Sequence, residues 1–176
     1  MKQIIAFAGS NSKQSINKQL VSYASSLLQE AEVTVLDLND FKLPLYGVDL
    51  EVESGIPESV NRMIDAIKSA DGLIISLAEH NGAYTTVFKN LFDWMSRAEP
   101  KTFHNKPMLL MATSPGARGG ASVLEIAKDR FPRHDANIVA EFSLPSFYEN
   151  FSEGKLINTA LNTQLLNEVK QLEAAL

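Results

Sequence analysis

The stretch Gly9-Ser10-Asn11-Ser12-Lys13-Gln14-Ser15-Ile16-Asn17 places three serines, two asparagines and a glycine between an apolar run and a helical pattern. The hydroxyls of Ser10, Ser12 and Ser15 and the amide of Asn17 would stand beside the unpaired backbone N–H groups and positive dipole end of that helix. Such a set holds a phosphate without any lysine, each dipole–anion contact contributing about 0.3–1 kcal/mol. The same residues also suit a polar turn in which Ser15 simply caps the helix. On this loop alone both readings stand.

Two more loops, Glu79–Thr86 and Thr113–Gly120, are rich in Gly, Ser, Thr or Asn and also follow apolar runs. Gly82 allows a positive φ, so peptide groups there can approach a flat ligand closely. Asn81 could bridge to ring atoms of such a ligand, with Glu79 and His80 framing its edge. The letters exclude several other uses of a phosphate. Neither G-x-x-x-x-G-K-[ST] nor G-x-G-x-x-G is present. With no cysteine there is no thiol nucleophile, and Ser76 sits in Ile75-Ser76-Leu77 without the glycines of a hydrolase elbow. The opening loop reads as one that holds a phosphate rather than cleaving it. His80, His104 and His134 show no ligand spacing, so no metal is expected. Arg118 either attracts a dinucleotide's phosphates or is a solvated loop residue; Glu51 and Glu53 are expected to be solvated.

These loops need a frame. Short apolar runs occur at Ile4–Ala8, Val33–Leu38, Gly72–Leu77 and Met108–Ala112, with a weaker fifth at Asn137–Ala140. None alternates cleanly, the pattern of strands buried on both faces. Helical spacings lie between them: Ile16 to Leu28, Val60 to Ile67, Tyr84 to Met95, Val123 to Phe131, and a last stripe of Leu161, Leu165, Val169 and Leu172. Strand–helix alternation predicts an α/β fold, a doubly wound parallel five-stranded sheet with helices on both faces. In the flavodoxin-like order 2-1-3-4-5, all three loops meet at one sheet edge, where such folds bind ligands. Asp40–Pro57 is expected to be a long surface loop, and Leu144–Gly154 a second irregular segment.

Composition narrows the class. The 176 residues, 45% hydrophobic and 21% charged, are expected to form a single domain over 1–176. A net charge of −5 without a basic cluster argues against nucleic acid as a partner. No apolar run approaches the ~20 residues of a membrane span, and the N-terminal run is too short for a signal peptide. A cytoplasmic protein is expected.

The loop sequences resemble the NAD(P)H-dependent FMN reductase family of flavodoxin-like flavoproteins, related to quinone and azo reductases. That family carries G-S-x-R-x-x-S-x-N after the first strand, matched here by Gly9 to Asn17, and P-E-Y-N-G-S…L-K-N-x-x-D-W after the third. The second motif is matched by Ala78-Glu79-His80-Asn81-Gly82-Ala83, then Phe88-Lys89-Asn90 and Asp93-Trp94. The family's third loop is similar to Ser114-Pro115-Gly116-Ala117-Arg118-Gly119-Gly120. The resemblance, which runs to about Phe131, implies an FMN site. Ser10, Ser12, Ser15, Ile16 and Asn17 would take the phosphate; Glu79, His80, Asn81 and Gly82 would lie along the isoalloxazine edge. The loop with Ser114, Gly116 and Gly119 would close the other side. Ser12 stands where the family has arginine, which implies weaker FMN retention unless Lys13 substitutes. Ala78 and His80 replace proline and tyrosine.

The implied activity is hydride transfer from NADH or NADPH through FMN to a small-molecule electron acceptor such as free flavin, a quinone or an azo compound. No catalytic side chain is required, because the flavin carries the chemistry. Two alternatives are a non-catalytic electron carrier or flavin-binding sensor, and a phosphate-ligand module without flavin. The apolar positions of Tyr84 to Met95 exceed the ~100° stripe of a single sheet contact. They imply either deep burial in one subunit or an interface. The resemblance favours a homodimer or homotetramer, with Asp40–Pro57, carrying Tyr46 and Leu50, as a roof over the neighbour's flavin.

Overall fold

Ile4, Ile5, Ala6 and Phe7 are all buried, yet successive side chains on a strand leave opposite faces. Ile4 and Ala6 join one apolar cluster, Ile5 and Phe7 another. Both faces of this strand must therefore be covered. In the computed structural model, which describes residues 1–176, they are.

Along the chain the elements run β1 Lys2–Gly9, α1 Ile16–Ser26, β2 Ala31–Leu36, α2 Val48–Ser54, α3 Glu58–Ser69, β3 Gly72–Leu77, β4 Glu79–His80, β5 Ala83–Tyr84, α4 Thr86–Ala98, β6 Pro107–Thr113, α5 Ala121–Arg130, β7 Asn137–Leu144, α6 Phe147–Asn150, β8 Phe151–Ser152, β9 Lys155–Leu156 and α7 Thr159–Ala175. One sheet has the order β2-β1-β3-β6-β7, and every pairing in it is parallel. Counting only its five strands, this is the predicted 2-1-3-4-5. Helices α3, α4 and α5 cover one face, packing Met63, Ile67, Phe88, Phe92 and Val123 on Ile5, Phe7, Ile75 and Leu110. Helices α1 and α7 cover the other, with Leu20, Val21, Leu165 and Val169 on Ile4, Ala6, Ile74 and Leu109.

The structure departs from the sequence reading in four places. The second strand is an edge strand with partly exposed residues, and it stops at Leu36; the rest of the run, through Leu38, enters a 3-10 turn. Asp40–Pro57 is not all loop, because Val48–Ser54 forms a helical turn pair closed by Gly55. The Tyr84 pattern starts its helix only at Thr86. Asn81 and Gly82, both at positive φ, make a two-residue turn between β4 and β5, and this hairpin claims Tyr84. Finally, Leu144–Gly154 folds into α6 and the start of the β8–β9 hairpin.

Candidate functional site

The carboxyl ends of β1, β3 and β6 share one sheet edge, and the loops leaving them converge. Ser10, Ser12, Gln14, Ser15, Ile16, Asn17, Ala78, Glu79, His80, Thr113, Ser114, Pro115 and Tyr148 line one cleft of about 210 Å³. Of the sequence-predicted residues, Ser10, Ser12, Ser15, Ile16, Asn17, Glu79, His80 and Ser114 meet there. Asn81, Gly82, Gly116 and Gly119 do not line it.

The first loop is held by its own hydroxyls. Ser12 N–H donates to Ser10 Oγ at 3.2 Å, and Gln14 N–H to Ser12 Oγ at 3.3 Å. Lys18 N–H donates to Ser15 Oγ at 3.1 Å, so Ser15 is the N-cap of α1. The capping reading of Ser15 therefore holds. Each serine oxygen accepts from the backbone, and each hydroxyl keeps its hydrogen to donate. The first-turn N–H groups of Ile16 and Asn17 have no acceptor within the helix.

Asn17 has a structural task as well as a place in the cleft lining. Its side chain packs into the sheet, where it is buried. Oδ1 accepts from the Ser76 hydroxyl at 2.7 Å and Thr113 N–H at 3.1 Å, and Nδ2 donates to the Thr113 carbonyl at 3.1 Å. The carboxamide oxygen and one of its two N–H donors are thus committed to the sheet. Gly119 packs away from the cleft lining. Its N–H donates to the Gly116 carbonyl and its carbonyl accepts from the Ser143 hydroxyl. At φ +57, a Cβ there would sit 2.5 Å from Ser143 Oγ. It is a glycine for packing on β7.

Glu79 reaches away from the cleft with one oxygen. Oε2 accepts from Val123 N–H at 2.9 Å, capping the first turn of α5 from 44 residues away, where a carboxylate also meets the positive dipole end. Thr85 caps α4 while its hydroxyl donates to the Gly9 carbonyl at 2.8 Å, tying that helix to β1. Asn81 and Gly82 occupy the tip of the hairpin. Gly116, with open space around it, accepts from three groups: Gly119 N–H, Ser146 N–H and the Ser114 hydroxyl.

No lysine or arginine lines the cleft. Lys13 lines a neighbouring groove along α1 with Lys18, Gln19 and Tyr23 rather than the cleft itself. Lys18 is paired with Asp37, whose carboxyl it holds below the usual range. Arg118 donates to the Ser122 hydroxyl at 2.8 Å.

The second motif's helical half does something other than line the cleft. Asn90 Nδ2 and Trp94 Nε1 donate to the Pro44 carbonyl at 3.0 and 2.9 Å, and Asn90 Oδ1 accepts from Tyr46 N–H at 2.8 Å. The Tyr46 hydroxyl donates to Glu51, which Arg97 grips with two nitrogens. Glu51, expected in solvent, is thus the centre of a latch fastening residues 44–51 to α4. The apolar excess of α4 is explained the same way, since Phe88, Leu91, Phe92, Trp94 and Met95 are buried within the chain.

Sequence reasoning missed Tyr148. It lies far beyond the matched motifs, and its only signal was an aromatic cluster after a proline, Pro145-Ser146-Phe147-Tyr148.

Comparison with known proteins adds a finding of its own. The model of a family described as NADPH-dependent FMN reductase matches residues 2–149. A quinone reductase of Escherichia coli (strain K12) is 32% identical over 120 residues, 68% of this chain and 63% of that protein. An NAD(P)H-dependent FMN reductase of Pseudomonas aeruginosa is 36% identical over 106 residues, 57% of each chain. The chain thus spans less than two thirds of the length of these curated relatives. Among solved structures, a flavoenzyme NAD(P)H:(acceptor) oxidoreductase, FerB from Paracoccus denitrificans, superposes with a TM-score of 0.75 at 26% identity over 99% of both chains.

Proposed function

Because the chain belongs to the NADPH-dependent FMN reductase family, we propose that it is an FMN-dependent oxidoreductase using NADH or NADPH to reduce a small-molecule acceptor such as a quinone, a free flavin or an azo compound. The observation that carries this is the convergence of three loops on one polar cleft, rich in hydroxyl and backbone N–H donors, at the switch point of the sheet.

The cleft suits a flavin phosphate. The hydroxyls of Ser10 and Ser12 and the backbone N–H groups of Ile16 and Asn17 offer donors, and α1 brings its positive end. Bound FMN would supply the hydride chemistry. The chain's share is to hold the phosphate, to keep the first loop rigid through Asn17, and to set the 79–84 hairpin and the 114–120 loop on either side. Glu79 and His80 line the cleft wall on the hairpin side, and Ser114 the other. With no cation in the cleft, retention of FMN rests on neutral donors and is weaker than an arginine would give.

The reading extends to the assembly and the setting. Residues 1–176 act as one domain, since one sheet carries both apolar clusters. A homodimer, or a pair of them, is supported by the largest groove, about 710 Å³, between α4 and α5. There the half-buried Tyr84 and the exposed Ile126 lie among Lys89, Asp93, Asp129 and Arg130, a mixture of apolar surface and both charge signs suited to a two-fold contact. No helix is long and apolar enough to cross a membrane. A reaction consuming reduced nicotinamide dinucleotide belongs with its pool, so the reading puts the activity in the cytoplasm.

The test is a visible spectrum after adding FMN and removing the excess, followed by anaerobic NADH or NADPH. About one flavin per chain, bleached by the dinucleotide, is expected. A protein that stays colourless overturns the FMN reading, and flavin that binds but never bleaches makes the chain a carrier. Light scattering at micromolar concentration checks the dimer; a monomer would end that part.

A further inference from the structure

We propose that the Tyr148 hydroxyl is an additional phosphate-binding donor, closing the cradle from the far end of the sheet. This rests on the FMN reading and deepens it.

Three observations lead there. Tyr148 is the only cleft residue contributed from beyond β7, and it lines the same cleft as Ser10, Ser12 and Ser15. Its backbone is fixed: Ser146 N–H and Phe147 N–H donate to the carbonyls of Gly116 and Ser114 at 2.9 and 3.1 Å. Ser146 takes φ 44 to make that turn, a conformation that costs a non-glycine residue free energy. Phe147, buried and stacked on Phe151 at 4.7 Å, anchors the turn from below. On this rigid mount Tyr148 remains 71% exposed, so its ring is not part of the core.

A large exposed ring on a fixed backbone turn, lining a polar cleft, is available to a ligand there. The chemistry of the cleft says which part of the ligand. Tyr148 sits on the α1 side of the sheet, where Phe147 and Phe151 join the cluster of Leu20 and Val21. That is the side of the phosphate loop. The cleft holds no lysine or arginine, and a phenol O–H is a strong neutral donor with no desolvated charge. Hydrogen bonds to a charged acceptor are roughly twice as strong as neutral ones. Tyr148 therefore adds a donor from outside the serine loop to the same cleft.

The experiment measures dissociation constants for FMN and riboflavin by flavin fluorescence, with the wild type, Tyr148→Phe and Tyr148→Ala. Riboflavin lacks only the phosphate. A five- to twentyfold loss of FMN affinity in Tyr148→Phe, with riboflavin unchanged, is the expected result. Unchanged FMN affinity in Tyr148→Phe overturns the assignment. Loss of both ligands in Tyr148→Ala alone also overturns it, making the ring a stacking wall. A wild type that binds neither flavin brings down the FMN reading itself, a distinct outcome. The ring is exposed, so both variants should keep the wild-type circular dichroism.

Discussion

The Ser76 hydroxyl donates a 2.7 Å hydrogen bond to Oδ1 of Asn17, and both residues are buried. The same carboxamide pairs with both backbone groups of Thr113. One side chain thus joins the start of α1 to the ends of β3 and β6, the three places from which the cleft is built. A position matching a ligand motif in sequence proves to be the pin that sets the ligand loop against the sheet.

Removing that pin should be costly. Asn17→Ala leaves Ser76 Oγ and both Thr113 backbone groups buried without a partner. Each such group costs about 1–3 kcal/mol, partly relieved by relaxation, so a total loss of about 3 kcal/mol is expected. For a chain this size that is a fall of roughly 6–12 °C in melting temperature. Thermal unfolding followed by circular dichroism checks it. A drop under about 2 °C would mean that the network is not what holds α1 in place.

The two glycines of the third loop should behave oppositely. Gly119 has φ +57, and an added Cβ would lie 2.5 Å from Ser143 Oγ and 2.9 Å from the Leu144 backbone. Gly119→Ala should therefore destabilise by about 3 kcal/mol, strain and overpacking together. Gly116 has nothing within 4 Å of the same position, so Gly116→Ala should unfold within about 0.5 kcal/mol of wild type. Urea titration of the pair decides; equal stabilities would refute the packing role of Gly119.

Which parts of this were legible in sequence follows from range. The central strands announce themselves because Ile4–Ala8, Gly72–Leu77 and Met108–Ala112 are buried on both faces and so read as unbroken apolar runs. The edge strand β2 was half-legible, since its exposed side follows a different rule. The loops' positions followed from the strand order. Their inner wiring did not: Asn17 meets Thr113 across 96 residues, and Glu79 meets Val123 across 44. No periodicity encodes such pairs. The hairpin at Asn81-Gly82 did leave a local mark, the Asn-Gly dipeptide, but two-residue strands are too short to show alternation.

Acid should open the latch on α4 before it unfolds the protein. Arg97, and after it the Tyr46 hydroxyl, hold the Glu51 carboxyl below its ordinary range. A depressed folded pKa stabilises above the unfolded value, about 4.3, and that contribution fades as pH falls through the lower folded one. Trp94, the chain's single tryptophan, is buried with its indole N–H on Pro44 of the latched segment. Its emission should therefore change below about pH 4, ahead of the global loss of circular dichroism. In Glu51→Gln the early change should vanish, the neutral side chain no longer titrating. Superimposable acid profiles for the two proteins would disprove the latch.

Ser12 offers the reverse test of the cradle, by restoring charge rather than removing a donor. Its hydroxyl accepts from Gln14 N–H within the loop, and its exposed side faces the cleft lined by Ser10 and Ser15. The nearest lysine in sequence, Lys13, serves another groove. Ser12→Arg should tighten FMN binding up to about fivefold, roughly 1 kcal/mol for a solvent-exposed ion pair. Because that gain is Coulombic, it should shrink as salt is raised from 50 mM to 500 mM, while wild-type binding changes little. Riboflavin, carrying no phosphate, should bind both proteins alike. If arginine at position 12 improves riboflavin as much as FMN, or gains affinity that salt does not reduce, the phosphate does not lie at the first loop.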